Sequence, residues 1–184
     1  KKNLDCGNSG TSIRLLAGLM SAQKFSSNLV GDSSLNKRPM ERISIPLGMM
    51  GANLNLSNNK TPPIKINITK KILPIEYKMP IDSAQIKSSI ILAGLYAESE
   101  TTIIENTPTR DHTENMVNFL NGNITRENNK IIIDPKYKLI SRDIDIPGDI
   151  SSAMFLIVAC LIAKNSEIII KNVGLNTLRT GGIE

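Results

Sequence analysis

Near the start of the chain stands Gly7-Asn8-Ser9-Gly10-Thr11-Ser12-Ile13-Arg14, a stretch that joins small, flexible residues to an apolar helix. Its glycines let the backbone approach a ligand closely, and the free N–H groups of a first helical turn attract anions. Arg14 lies four residues after Gly10, so on a helix both lie on the same face. The stretch therefore predicts an anion-binding helix start, and a capped helix with a solvated arginine is the alternative.

The same arrangement occurs three times along the chain. Apolar helices that open on small polar residues are predicted over 7–24, 82–98 and 148–164. A short aliphatic strand follows each helix, at 28–30, 101–104 and 167–170. Each strand leads to a loop arginine: Arg38, Arg110 and Arg179. Counted from Ser9, Ser83 and Ser151, these arginines come after 29, 27 and 28 positions, and this regular spacing indicates an internal repeat.

Each repeat is predicted to be a strand–helix–strand–helix–strand–strand unit. Second helices are expected over 39–50 and 111–120, and closing strands over 53–56, 64–68, 123–125 and 130–133. The first helix of each unit is apolar over most of its circumference, which predicts an α/β fold of βαβαββ units with buried helices and outer sheets. We expect a domain boundary near Pro147, after a strand end at 144–146. Residues 1–146 would then hold two units, the first truncated at its start, and 147–184 would begin the next.

Composition narrows the class of protein. The net charge is +5, the hydrophobic fraction is 40%, and the basic residues are dispersed, which fits a globular protein with small anionic substrates. Aromatic residues make up 3% of the chain with no Trp, so stacking on nucleic-acid bases is not expected. The longest apolar run, at 153–163, is shorter than the ~20 residues of a membrane-spanning helix. We therefore expect a cytoplasmic protein that binds neither nucleic acid nor membranes.

Several polar residues are candidates for ligand binding. Around the second helix opening, Ser83, Gln85 and Lys87 offer hydroxyl, amide and ammonium groups that suit a phosphate or a polyhydroxylated ring, although a capped, solvated helix is the alternative. Convergence of the three helix openings would join these groups to the loop arginines. His112 is the only histidine, which excludes a Ser-His-Asp hydrolase and a multi-histidine metal site. Cys6 is interpreted as a small residue at a strand end rather than as a nucleophile.

Five strings carry a resemblance to a known family. They are Leu4-Asp5-Cys6-Gly7-Asn8-Ser9-Gly10-Thr11 with Arg14, Asn36-Lys37-Arg38-Pro39-Met40, Ser83-Ala84-Gln85-Ile86-Lys87-Ser88, Thr109-Arg110-Asp111-His112-Thr113, and Pro147-Gly148-Asp149-Ile150-Ser151-Ser152-Ala153. In this order they run through essentially the whole chain, which resembles the EPSP synthase (3-phosphoshikimate 1-carboxyvinyltransferase) family. The resemblance implies two lobes of three βαβαββ units, an enolpyruvyl transferase-like inside-out α/β barrel. This chain would be an internal fragment with one lobe plus the start of a second.

The resemblance also implies an activity and a set of site residues. Members transfer the enolpyruvyl group of phosphoenolpyruvate to the 5-hydroxyl of shikimate 3-phosphate and release phosphate. Phosphoenolpyruvate would be bound through Asn8, Gly10, Thr11, Arg14, Arg38 and Gln85. Shikimate 3-phosphate would be bound through Ser83, Ala84, Gln85, Thr109 and Arg110, where Thr109 stands at a position that is Ser in many relatives. No cofactor or metal is implied, and the full-length enzyme is expected to be a monomer.

Two other functions remain open from the sequence. UDP-N-acetylglucosamine enolpyruvyl transferases share the fold and the donor, but the strings around Arg38 and Arg110 fit the shikimate branch better. A non-catalytic anion-binding module built on repeats is the alternative from a different class. The acid and base residues that the family uses are expected outside these 184 residues, so we expect this chain alone to be inactive.

Overall fold

The computed structural model describes residues 2–183, in which two units have the same order of strands and α-helices; the first also has a 3-10 helix at Leu35–Lys37. The first unit comprises β1 (Lys2–Asp5), α1 (Gly10–Ser21), β2 (Ser27–Val30), α2 (Glu41–Met49), β3 (Leu54–Asn55) and β4 (Ile64–Ile66). The second comprises β5 (Glu76–Lys78), α3 (Ala84–Gly94), β6 (Thr101–Ile104), α4 (His112–Phe119), β7 (Asn123–Glu127) and β8 (Lys130–Asp134). A fifth helix, α5 (Ile150–Ile162), follows. The predicted βαβαββ unit is confirmed in both copies.

Each unit forms its own four-stranded sheet, and the two sheets have equivalent strand orders, β1-β2-β4-β3 and β5-β6-β8-β7. The first pair in each sheet is parallel, and the remaining pairs are antiparallel. Side chains alternate along the strands, so each sheet buries one face against the helices. Leu29 pairs with Ile64 in the first sheet and Ile103 pairs with Ile131 in the second, and all four are buried.

Close packing of α1 against α3 joins the two units. A Cβ atom on Gly18 would lie 2.1 Å from the backbone oxygen of Ser89, so the two helices touch through their backbones at this point. The same tetrapeptide, Leu-Ala-Gly-Leu, has a different role in α3, where Gly94 ends the helix and faces Thr101 of β6. The two glycines are not at equivalent positions of their helices. Gly18 lies nine positions after the N-cap of α1, whereas Gly94 lies eleven positions after the N-cap of α3.

The third of the predicted apolar helices, which is α5 in the structure, departs from the sequence prediction. All-round burial was expected for 148–164, but in α5 only Ile150 and Ala153 are buried, and Phe155 is 81% exposed. The strands predicted at 144–146 and 167–170 are wrong, since among the described residues this region has only the isolated bridge between Gly148 and Val173. Aliphatic, β-branched sequence favours a strand only where a partner strand accepts its hydrogen bonds, and within 2–183 none pairs with these segments.

Candidate anion-binding site

The loop before α1 is held by a short-range turn and a serine cap. Gly7 has φ +53°, a left-handed conformation that favours glycine, and its N–H donates to Asp5 Oδ1 at 2.9 Å. Ser9 is the N-cap, and its hydroxyl accepts the Ser12 N–H at 3.1 Å. The helix therefore begins at Gly10, three residues later than predicted, and the preceding residues form the loop that presents the site.

Two arginines converge on Gly10. A Cβ atom there would lie 2.8 Å from Arg14 Nη1 and 2.9 Å from Arg38 Nη1, and Arg14 Nη1 donates to the Gly10 carbonyl at 3.2 Å. Burial, and then the charges of Arg38 and Arg42, lower the pKa of Arg14, although a guanidinium stays protonated at neutral pH. Two like charges held close together, one of them on a half-buried side chain, favour an anionic ligand beside Gly10.

A chain of hydrogen bonds orients Arg38. Its Nη2 donates to Asn8 Oδ1 at 2.7 Å, and Asn8 Nδ2 donates to Asp32 Oδ2 at 2.7 Å. The other oxygen of Asp32 accepts backbone N–H groups from Leu35 at 2.7 Å and Ser34 at 3.0 Å. These bonds, the one from Leu35 first, lower the pKa of Asp32, so its carboxylate stays ionised and fixes Asn8. We did not identify Asp32 from the sequence, although Asp before Ser-Ser is typical of a side-chain-capped turn.

Gln85 connects the two units. Its Oε1 accepts from Arg14 Nη1 at 2.7 Å, and its Nε2 donates to Thr11 Oγ1 at 2.8 Å. The first turns of α1 and α3 therefore meet, as the predicted convergence of helix openings requires. The structure brings together all six residues expected around phosphoenolpyruvate: Asn8, Gly10, Thr11, Arg14, Arg38 and Gln85.

The openings of α1, α3 and α5 surround a cleft of about 380 Å³. Its lining includes Thr11 from α1, Gln85 from α3, Asp149 at the N-cap of α5, and the loop arginines Arg110 and Arg179. An adjoining cleft of about 490 Å³ contains all five residues expected around shikimate 3-phosphate: Ser83, Ala84, Gln85, Thr109 and Arg110. The two clefts share Ala84, Gln85 and Arg110, so a ligand in either lies beside the same cation.

The predicted residues differ in how much of their polar surface is available. Ser83 occupies the N-cap of α3, but its hydroxyl makes no capping hydrogen bond, which leaves it to a ligand. The Thr109 hydroxyl instead donates to Glu105 Oε2 at 2.9 Å and is turned into the protein. Arg179 is paired with Asp149 at 3.0 Å and also donates to Ser151. Arg110 is exposed at the mouth of both clefts.

The structure corrects the interpretation of Lys87 and explains the low reactivity expected of Cys6. Lys87 was interpreted as a ligand-binding group, and this is wrong, because its side chain is fully buried and paired with Glu105 and Glu114. A lysine one turn into a helix gives no sequence signal of carboxylates that lie 18 and 27 positions away. Cys6 is buried at the end of β1, and burial, followed by the charge of Asp5, raises the pKa of its thiol. It is therefore a poor nucleophile.

None of the helices within residues 2–183 has the length and apolar character to cross a membrane. The same residues contain no group of three or more His, Cys, Asp or Glu side chains arranged to hold a metal ion.

Together these residues define an α/β repeat protein whose helix starts and loop arginines surround shared clefts, an arrangement that suits anionic ligands. The family model of EPSP synthase (3-phosphoshikimate 1-carboxyvinyltransferase) matches residues 1–184, and the chain belongs to this family. Curated relatives named 3-phosphoshikimate 1-carboxyvinyltransferase include those of Streptococcus agalactiae, 49% identical over 179 residues, and Leuconostoc mesenteroides, 51% identical over 181 residues. They align with 97% and 98% of this chain, which spans 42% of their length.

A solved structure gives the same result. The 2.37 Å structure of EPSP synthase from Acinetobacter baumannii is 47% identical in sequence and matches with a TM-score of 0.88. The match covers 99% of this chain and 41% of that one. The fold seen here is therefore that of a large part of an EPSP synthase.

Proposed function

We propose that this chain carries the substrate-binding part of an enzyme that transfers the enolpyruvyl group of phosphoenolpyruvate to the 5-hydroxyl of shikimate 3-phosphate. The products would be 5-enolpyruvylshikimate 3-phosphate and phosphate. The observation that carries the proposal is Gln85, which joins the Arg14 and Arg38 cluster at Gly10 to the clefts beside Arg110. One side chain thereby adjoins two separate cationic sites, as a reaction between two anionic substrates requires.

The two sites differ in a way that suits the two substrates. Phosphoenolpyruvate carries a carboxylate and a phosphate close together, and we assign it to Gly10, where two guanidinium groups lie within a few ångströms of one point. Asn8 and Thr11 complete that site. Shikimate 3-phosphate combines a phosphate with ring hydroxyls, and we assign it to the adjoining cleft, where the Ser83 hydroxyl and Arg110 offer both kinds of contact.

In this proposal, Arg14 and Arg38 contribute to catalysis through their positive charge. Addition of the hydroxyl to the vinyl group requires a proton at the vinyl carbon and a base for the hydroxyl. The intermediate that follows is anionic, and preorganised cations stabilise it without reorganisation. Arg14 and Arg38 would supply these cations.

Calorimetric titration of the longest reading frame that contains this chain tests the proposal. We expect heat release with shikimate 3-phosphate, and with phosphoenolpyruvate once shikimate 3-phosphate is present. Arg110→Gln should raise the Kd for shikimate 3-phosphate about 10-fold or more, because a charge-assisted hydrogen bond contributes about 1.5–3 kcal/mol. Lys136→Gln, in the exposed segment after β8, is the matched control and should change nothing. Binding of UDP-N-acetylglucosamine or an oligonucleotide in place of shikimate 3-phosphate would contradict the proposal and favour one of the alternatives.

The 184-residue chain alone is expected to show no measurable turnover. It spans 42% of its relatives' length, and the matched motifs contain binding groups rather than an assigned acid and base. The measurement is phosphate release with both substrates present. Steady release above that of a heat-denatured sample would contradict this expectation and would place the acid and base among the residues described here.

Replacing Gly10 by Ala is expected to weaken phosphoenolpyruvate binding without destabilising the fold. The added Cβ would meet Arg14 and Arg38 at 2.8 and 2.9 Å, so both guanidinium groups must move. Because flexible side-chain ends can move, and Ala favours a helix more than Gly does, stability should be equal or higher by up to ~1 kcal/mol. In the longest reading frame that contains this chain, we expect the KM for phosphoenolpyruvate to rise about 10-fold, because displaced guanidinium groups lose part of their charge-assisted hydrogen bonds to the ligand. An unchanged KM would contradict this placement of the ligand.

A further inference from the structure

A group of four charged side chains, three of them buried, lies behind the clefts. It consists of Lys87 from α3, Glu105 after β6, Glu114 from α4 and Arg126 from β7, and is called here the ion cluster. The side chains of Lys87 and Glu105 are 0% exposed, and the two carboxylates and two cations balance each other. None of the four lines either cleft, so the ion cluster does not itself contact a ligand there.

The hydrogen bonds of the ion cluster are directed at one loop residue. Lys87 Nζ donates to the Thr109 carbonyl oxygen at 3.0 Å. Glu105 Oε2 accepts both the Thr109 N–H at 3.3 Å and the Thr109 hydroxyl at 2.9 Å. Thr109 therefore gives all three of its polar groups to the ion cluster. The approaches of Glu114 Oε1 and Glu105 Oε2 to Lys87 Nζ, at 2.6 and 3.4 Å, are ion pairs rather than directed hydrogen bonds.

Stability alone does not explain this arrangement. A buried ion pair is often no more stabilising than well-packed apolar residues of the same volume, since its desolvation cost offsets the attraction. Apolar residues, however, cannot form hydrogen bonds to the backbone of a loop that has no strand partner. Lys87 and Glu105 hold it from both sides, through the carbonyl and the N–H of one residue.

The neighbour of Thr109 is Arg110, the exposed cation shared by both clefts. Lys87 also belongs to α3, the helix that brings Ser83 and Gln85 to the same clefts. The ion cluster thus ties the arginine loop to the helix that carries the other ligand-binding groups. Fixing a charged group before the ligand arrives reduces the entropy lost on binding.

We propose that Lys87, with Glu105 and Glu114, is a positioning residue that fixes the loop at Thr109 and Arg110 for binding the phosphorylated acceptor substrate. The proposal rests on the proposed function for the identity of that substrate. Its structural part, the fixing of the loop, does not depend on it.

The test uses the longest reading frame that contains this chain and the double variant Lys87→Met/Glu114→Gln, which keeps the Glu105–Arg126 pair and the charge balance. Hydrogen exchange at the Thr109 amide, which donates to Glu105, should become about 10-fold faster or more, because local opening costs less. The KM for shikimate 3-phosphate should rise about 10-fold or more, while the KM for phosphoenolpyruvate stays within about 2-fold. Lys87→Arg should restore part of both effects, since it keeps a buried donor cation.

Lys71→Met is the matched control, because it removes a lysine of the exposed pair with Glu98 and should change neither exchange nor KM. If the double variant does not fold, Thr109→Val tests the same loop, since it loses the hydroxyl bond to Glu105 and should accelerate exchange at the amide of position 109. Unchanged exchange overturns the proposal, and so does faster exchange with an unchanged KM for shikimate 3-phosphate. If the longest reading frame without substitutions lacks turnover, the proposed function fails. Hydrogen exchange at Thr109 then decides by itself whether the ion cluster fixes the loop.

Discussion

Replacing Gly18 by Ala is expected to lower the free energy of unfolding by about 3 kcal/mol or more, the upper range for overpacking. The added Cβ would lie 2.1 Å from the Ser89 backbone oxygen. A backbone atom cannot rotate away as a side chain can, so α1 and α3 would have to separate. Urea denaturation followed by circular dichroism measures the change, and the midpoint of thermal unfolding should fall by roughly 6–12 °C.

Gly48→Ala in α2 is the matched control for this prediction. Nothing lies within 4 Å of a Cβ atom at Gly48, which is exposed near the end of its helix. There the substitution should leave stability equal or raise it by up to ~1 kcal/mol, because Ala has the higher helix propensity. Equal destabilisation by both substitutions would show that contact at Gly18 is not what joins the two helices.

Replacing Arg38 by Met is expected to raise the KM for phosphoenolpyruvate about 100-fold or more. Each charge-assisted hydrogen bond contributes about 1.5–3 kcal/mol, and a guanidinium can form two with one anion. The KM for shikimate 3-phosphate should change little, since Arg38 lies in the Gly10 cluster and not in the clefts beside Arg110. Steady-state kinetics of the longest reading frame that contains the chain, with each substrate varied in turn, measures both values.

Two further variants separate geometry from net charge. Arg38→Lys keeps the charge but loses the planar, two-pronged donor set, so we expect an intermediate effect of about 10-fold. Lys37→Met removes an exposed neighbouring cation and should have an effect of about 2-fold or less, as for a screened surface charge. An effect of Lys37→Met as large as that of Arg38→Met would contradict the assignment, because any nearby charge would then suffice.

Repetition in the sequence was enough to predict the units, because each βαβαββ copy carries its own periodicity. Strand β6 was predicted with the bounds that the structure has, and α3 within its predicted range. Strand β5, which opens the second unit, was not located, since its Glu-Tyr-Lys sequence has one buried residue and no aliphatic pattern. Local patterns therefore predicted the elements that bury several residues.

The incorrect predictions concern interactions between distant positions. Residues 167–170 have the composition of a strand, but a strand also depends on a neighbour that a local pattern does not reveal. Lys87 was interpreted as a ligand-binding residue because its carboxylate partners, Glu105 after β6 and Glu114 in α4, lie far from it in the sequence. Gly10 and Gln85 were selected as candidates because glycine, hydroxyl and amide groups at a helix start suit an anion. The family resemblance, and not the local pattern, favoured ligand binding over simple capping at both positions.

The equivalent order of strands in the two sheets has an evolutionary consequence. Duplication of a single βαβαββ gene segment would create two helix openings and two arginine loops at once, without any new architecture. Because the copies pack through α1 and α3, their openings arrive side by side, and each can then diverge for its own ligand. A catalyst for two anionic substrates could in this way descend from a protein that bound only one.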